Sequence, residues 1–192
     1  MIVGIVVALF WSLLLGVVIA LVLIGIAQER ASVFRAPAVR DRRPGQYAAR
    51  EARLALESGL HVMLYSDNVA LEDEIALKQS AHEKGLLLMG PDCGTAIIGG
   101  VGLGFANAVR RGPVGLVAAS GTGAQEVSVL VDRLGSGVSQ IIGTGGRDLS
   151  EPVDGRMTMA ALHRLMEDPQ TEVIILLSKP PAERVARRLK EA

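Results

Sequence analysis

Ser120, Gly121, Thr122 and Gly123 stand between an apolar run and an amphipathic one. Two hydroxyls and two glycines at a helix start leave backbone N–H groups unpaired at the positive end of the helix dipole, which is chemistry for holding a phosphate or carboxylate. The same residues also suit an ordinary N-cap, with Ser120 or Thr122 satisfying an orphan N–H. Two later turns carry cations: Gly143 to Asp148 contains Gly145, Gly146 and Arg147, and Ser178 to Pro181 contains Lys179. Taken singly, Arg147 and Lys179 read as solvated surface charge; gathered on one rim with the glycine N–H groups, they could grip an anion. A fourth stretch holds Pro91, Asp92, Cys93 and Gly94. Cys93 has no His or second Cys at ligand or redox spacing, so no metal site is expected and a buried, inert thiol is the plain reading. His61 and His82 read as structural or exposed, and His163 lies in a helix away from the rim, with no role.

These turns need strands and helices to place them. Val114 to Ala118 is a short apolar strand, and Val127, Leu130, Val131 and Leu134 share one face of a helix that Gly135 should stop. The pattern continues as strand Val138 to Ile142, helix Met157 to Met166, strand Val173 to Leu177 and helix Ala182 to Leu189. Upstream, Ala48, Ala52, Ala55 and Leu56 form a helical stripe. Leu60 to Tyr65 and Leu86 to Met89 read as buried strands, with a charged surface helix, Leu71 to Lys84, between them. Alternation of this kind predicts an α/β fold with a parallel sheet and helices on both faces. In such a sheet the ligand side is the carboxyl end of the strands, so the turns named above fall on one rim.

Composition is uneven along the 192 residues. The first 28 carry no charged side chain, and residues 2–26 form a nearly unbroken apolar run, long enough as a helix to cross about 30 Å of hydrocarbon. A single transmembrane helix (1–28) is expected, followed by a basic linker (29–45) whose Arg30, Arg35, Arg40, Arg42 and Arg43 place the remainder on the cytoplasmic side of the inner membrane. A cytosolic location applies if that first segment is an artefact. The net charge of zero argues against a nucleic-acid partner, and the one cysteine excludes an internal disulfide.

Residues 44–192 resemble the FdrA family, itself similar to the α subunit of succinyl-CoA synthetase. The carrying stretches are Ser66 to Val69 with Leu71 to Glu74, Gly90 to Thr95, Ala119 to Gly123, Gly143 to Leu149 and Ser178 to Pro181. The resemblance implies half of a CoA-binding, Rossmann-like domain over 46–110 and a flavodoxin-like domain over 111–192. It sets Ser120, Gly121 and Thr122 at a phosphate-facing turn and Pro91, Asp92 and Cys93 near the reactive end of CoA. The family's glycine-rich nucleotide turn has no counterpart in this sequence, and none of the three histidines matches a phosphohistidine context.

Two classes of function follow as expectations. One is an acyl-CoA-synthetase-like subunit handling a CoA thioester or an acyl or carbamoyl phosphate, completed by other subunits or by a second copy. A carbamoyltransferase component of purine or allantoin catabolism is a variant that the resemblance implies. The other is a non-catalytic, membrane-tethered binding module or a gene fragment.

Overall fold

The computed structural model describes residues 6–10, 18–22, 38–41 and 45–191. The elements are strands β1 (Val6–Phe10), β2 (Val18–Val22) and β3 (Ala38–Asp41), helix α1 (Gly45–Glu57), β4 (His61–Leu64), α2 (Leu71–Glu83) and β5 (Leu88–Met89). They continue with β6 (Thr95–Ile98), β7 (Val101–Gly104), β8 (Arg111–Ala118), α3 (Gly121–Arg133), β9 (Val138–Gly143), α4 (Arg156–Met166), β10 (Val173–Leu177) and α5 (Glu183–Glu191).

A three-stranded parallel sheet, ordered β3-β4-β5, takes its crossovers from α1 and α2. Ala48, Ala49, Ala52, Ala55 and Leu56 are buried, and small side chains at this spacing let α1 lie close against β4. The second sheet runs β10-β8-β9-β6-β7. Its β10, β8 and β9 are parallel, and successive residues divide between its faces. Leu116 and Ile141 join Ala124 of α3 on one side, whereas Val117 and Ile142 join Met157, Ala161 and Leu165 of α4 on the other. That second cluster continues through Leu77 of α2 to Leu64 and Leu88, giving the two sheets one shared core.

Several expectations change. The α/β fold has a parallel-rich sheet with helices on both faces, but the sheet is mixed, because β6 runs antiparallel to β9 and β7 antiparallel to β6. Gly99 and Gly100 have φ of +59° and +83°, the pair of left-handed residues that a two-residue hairpin turn requires. α2 is not a surface helix, since Leu77, Lys78 and Ala81 are fully buried and Glu74 nearly so. On α3 the deepest positions are Ala124 and Ser128, flanked by half-buried Val127 and Val131, while Leu130 and Leu134 are 44% and 85% exposed. β10 is an edge strand, and its Val173 is 52% exposed.

The transmembrane helix expected over residues 2–26 falls partly outside the described residues. The described parts, β1 and β2, are strands paired antiparallel from Val6↔Val22 to Phe10↔Val18, which overturns a continuous helix. Their sequences, Val-Val-Ala-Leu-Phe and Val-Ile-Ala-Leu-Val, are rich in β-branched residues that favour extended backbone. Among the described residues no helix is long and apolar enough to cross a membrane. Ala38–Asp41, within the stretch read as linker, is strand β3; residues 29–37 and 42–44 lie outside the description.

Candidate functional site

Strand register builds the rim. Leu177 pairs with Ala118 and Ala118 with Gly143, so β10, β8 and β9 end side by side and release their three turns together. After β8, Ala119 donates its N–H to the Leu177 carbonyl at 2.8 Å. Ser120 is extended (φ −138°, ψ 111°) and caps α3, its Oγ accepting the Gly123 N–H at 3.2 Å. The first backbone bond of the helix runs from the Ala124 N–H to the Ser120 carbonyl at 3.0 Å, so the N–H groups of Gly121 and Thr122 precede the ladder. No acidic residue occupies the first turn, and Gly121 and Thr122 are exposed. The cap is therefore present, and it leaves donors free to meet an anion.

The loop after β5 closes on this helix start. Its Gly90–Pro91 bond is cis, and the Asp92 and Cys93 N–H groups donate to the Ser66 and Leu64 carbonyls at 3.0 and 3.1 Å. Cys93 is buried, and its thiol points to the Thr95 carbonyl at 3.7 Å. The turn after β9 packs directly on this loop. A Cβ at Gly143 would lie 2.5 Å from Cys93 Sγ, and one at Gly145, where φ is +85°, would lie 2.5 Å from the Pro91 carbonyl oxygen. Between these backbones and α3 is a small cleft, its cavity volume about 10 Å³ and its mouth open to solvent. Residues 92–95 form one wall, and Gly121, Gly143 and Gly145 contribute to the other.

The sequence-predicted residues divide around this cleft. Asp92, Cys93, Gly94, Gly121 and Gly145 line it, and Ser120, Thr122 and Gly123 adjoin it at the helix start. Pro91 is buried behind the loop, its carbonyl against Gly145. Gly146, Arg147 and Lys179 are exposed and do not line it. Arg147 turns towards α2, with Nε 2.7 Å from Glu74 Oε2 and a terminal N–H donated to the Val69 carbonyl at 2.7 Å.

Beneath the rim lies a polar cluster that residue spacing did not reveal. Lys78 Nζ contacts Glu74 Oε1 and Asp148 Oδ1, both at 2.8 Å, and donates to the Thr144 carbonyl at 2.9 Å. Asp148 Oδ2 accepts the Thr158 N–H and hydroxyl at 2.8 and 2.7 Å. An i,i+4 Glu–Lys pair on a charged helix ordinarily marks a solvated face, so nothing local distinguished Lys78. None of the three histidines lines the cleft. His61 Nδ1 accepts the Leu87 N–H at 2.9 Å, and burial, reinforced by the positive charge of Arg164, pushes its pKa down to about 4. Among the described residues no group of side chains is arranged to hold a metal ion.

No family model matches the chain. It is 65% identical over 147 residues to the uncharacterised YahF protein of Escherichia coli K12, covering 77% of this chain and 28% of that protein. It is 32% identical over 141 residues to the α-2 subunit of a mitochondrial ADP-forming succinate–CoA ligase of Trichomonas vaginalis, covering 71% of this chain and 44% of that one. The α subunit of the Aquifex aeolicus ligase is 28% identical over 142 residues, with coverage of 71% and 45%. Each of these relatives is more than twice as long as the stretch this chain matches. In fold the chain resembles ATP citrate lyase of Methanothrix soehngenii, with a TM-score of 0.63 and 18% identity over 72% of this chain and 24% of that one. It also resembles the dinucleotide-forming acetyl-coenzyme A synthetase 1 of Ca. Korarchaeum cryptofilum, with a TM-score of 0.59 and 17% identity over 80% and 34%. The described residues therefore carry a CoA-ligase-like α/β domain.

Proposed function

We propose that this chain is a CoA-ligase-like α module that holds an acyl or carbamoyl phosphate against the amino end of α3. The loop of Pro91, Asp92, Cys93 and Gly94 would face the group transferred to or from a thioester. One observation carries the reading: the helix start, the loop after β5 and the turn after β9 line a single cleft. Donors fixed on rigid elements stabilise developing negative charge without reorganising, so positioning and electrostatics supply what this chain contributes. With room for about one water, the cleft offers a concave wall to part of a ligand and does not enclose one. By the family resemblance the loop stands near the reacting end of CoA; when bound, CoA supplies the thiol. Other subunits or a second copy would complete the site.

The motifs resembling FdrA favour a carbamoyl group over a dicarboxylic acyl group. Lys179, exposed on the same rim, supports an anionic substrate there, whereas Arg147 is held by Glu74. Isothermal titration of the full chain with carbamoyl phosphate and with phosphate tests the reading. The parent should bind, and Ser120→Ala with Thr122→Ala should weaken binding at least tenfold. Equal affinity of the two proteins refutes it, and a chain that binds neither anion is a scaffold instead.

A further inference from the structure

We propose that Thr95 is a further donor to the group held at the start of α3, and that Gln125 is the positioning residue that aims it. The inference rests on the cleft reading above and adds two residues to it. Thr95 opens β6, is 2% exposed and forms part of the cleft wall. Its Oγ1 accepts the Gln125 Nε2–H at 2.9 Å. A hydroxyl has one proton and two lone pairs, so that bond occupies a lone pair and leaves the proton undirected by protein. Among the described residues no acceptor takes it. Buried donors are rarely left without a partner, so a buried donor on a cleft wall points to a ligand or an ordered water.

The direction is set by neighbours. Oγ1 lies 3.6 Å from the position of a Cβ built on Gly121, the first residue of α3. Gln125 belongs to the same helix, one turn further on. A single helix thus presents the Gly121 and Thr122 N–H groups and also orients the Thr95 hydroxyl beside them. No Lys or Arg lines the described cleft, so hydrogen-bond donors carry the recognition of an anion there. Thr95 escaped notice in the sequence because it closes the Gly90 to Thr95 loop, where glycine and Cys93 dominate the pattern.

The test is phosphate binding by the full chain, measured calorimetrically, with folding checked by circular dichroism. Thr95→Val should weaken phosphate about tenfold or more, the effect of one hydrogen bond to a charged group. Thr95→Ser should retain affinity within about twofold, which a packing role for the methyl group does not predict. Gln125→Met should weaken binding less than Thr95→Val, and combining the two should cost no more than Thr95→Val alone, because Gln125 acts through Thr95. Parent-like affinity in Thr95→Val, alongside lost affinity in the Ser120→Ala, Thr122→Ala variant, overturns the role of Thr95 while leaving the cleft intact. Failure of the parent to bind phosphate, or equal binding by every variant, overturns both. Additive losses in the combined variant overturn the part assigned to Gln125.

Discussion

Lys78 Nζ lies 2.8 Å from Asp148 Oδ1, 70 residues away in sequence, and neither side chain reaches solvent. The ammonium spends its other contacts on Glu74 and the Thr144 carbonyl, which ties α2 to the turn that lines the cleft. Removing one partner of a buried ion pair strands a charge. Lys78→Met should therefore lower stability by about 3–5 kcal/mol in urea unfolding. A loss below about 1 kcal/mol, the range of an exposed pair, would contradict the burial of this cluster.

His61 makes stability depend on pH. Its folded pKa is near 4, against 6.5 when unperturbed, so between those values the unfolded chain takes up a proton that the folded chain refuses. The stabilising contribution is complete above pH 6.5 and is lost as pH falls towards 4, by about 3 kcal/mol in all. Protonating Nδ1 would also break its bond from the Leu87 N–H. Urea unfolding at pH 7.5 and 4.5 should show a smaller difference for His61→Asn, which keeps an acceptor without a proton to gain. Parallel behaviour of the two proteins would remove His61 from the account.

Two glycines of the cleft should respond in opposite ways to alanine. At Gly145 a Cβ meets the Pro91 carbonyl at 2.5 Å on left-handed backbone, so Gly145→Ala should lose about 1–3 kcal/mol and melt earlier. At Gly121 the nearest atom to a Cβ is Thr95 Oγ1 at 3.6 Å, an ordinary contact. Gly121→Ala should melt at or above the parent temperature, since alanine is the better helix former, yet bind phosphate more weakly as its methyl enters the anion's space. Binding equal to the parent's would place the anion elsewhere.

Ser120 separates capping from recognition. Ser120→Ala should cost about 1 kcal/mol through loss of the bond from the Gly123 N–H. Ser120→Asp keeps a capping acceptor and should hold the parent's melting temperature, while its negative charge excludes phosphate from the helix start. Thermal melts paired with titration calorimetry read both effects, and retained phosphate affinity in Ser120→Asp would place the anion away from this turn.

The strands and helices from Val114 onward were legible because each bears its own periodicity and punctuation: β8, α3, β9, α4, β10 and α5 follow one another as expected. What escaped was non-local. Glu74 and Lys78 look like a solvated pair until Asp148 and Arg147 arrive from the other sheet. The stripe of Leu130 and Leu134 was overridden by Ala124 and Ser128, small enough to let α3 settle on the strands. The β6–β7 hairpin does carry a local signal, the two-glycine turn of Gly99 and Gly100 between short apolar runs. In residues 6–10 and 18–22 length and hydropathy suit a membrane helix, while β-branching at Val6, Val7, Val18, Ile19 and Val22 favours the strands that form.

At Gly145 the turn meets the Pro91 loop backbone to backbone, and at Gly143 it meets the Cys93 sulfur and the Thr95 carbonyl, so neither position has room for a side chain. Substitution at such positions costs stability whether or not the residue meets a ligand. A saturation screen of the chain for activity would rank Gly143 and Gly145 beside any reacting group, and only a parallel screen for folding would tell shape from reactivity.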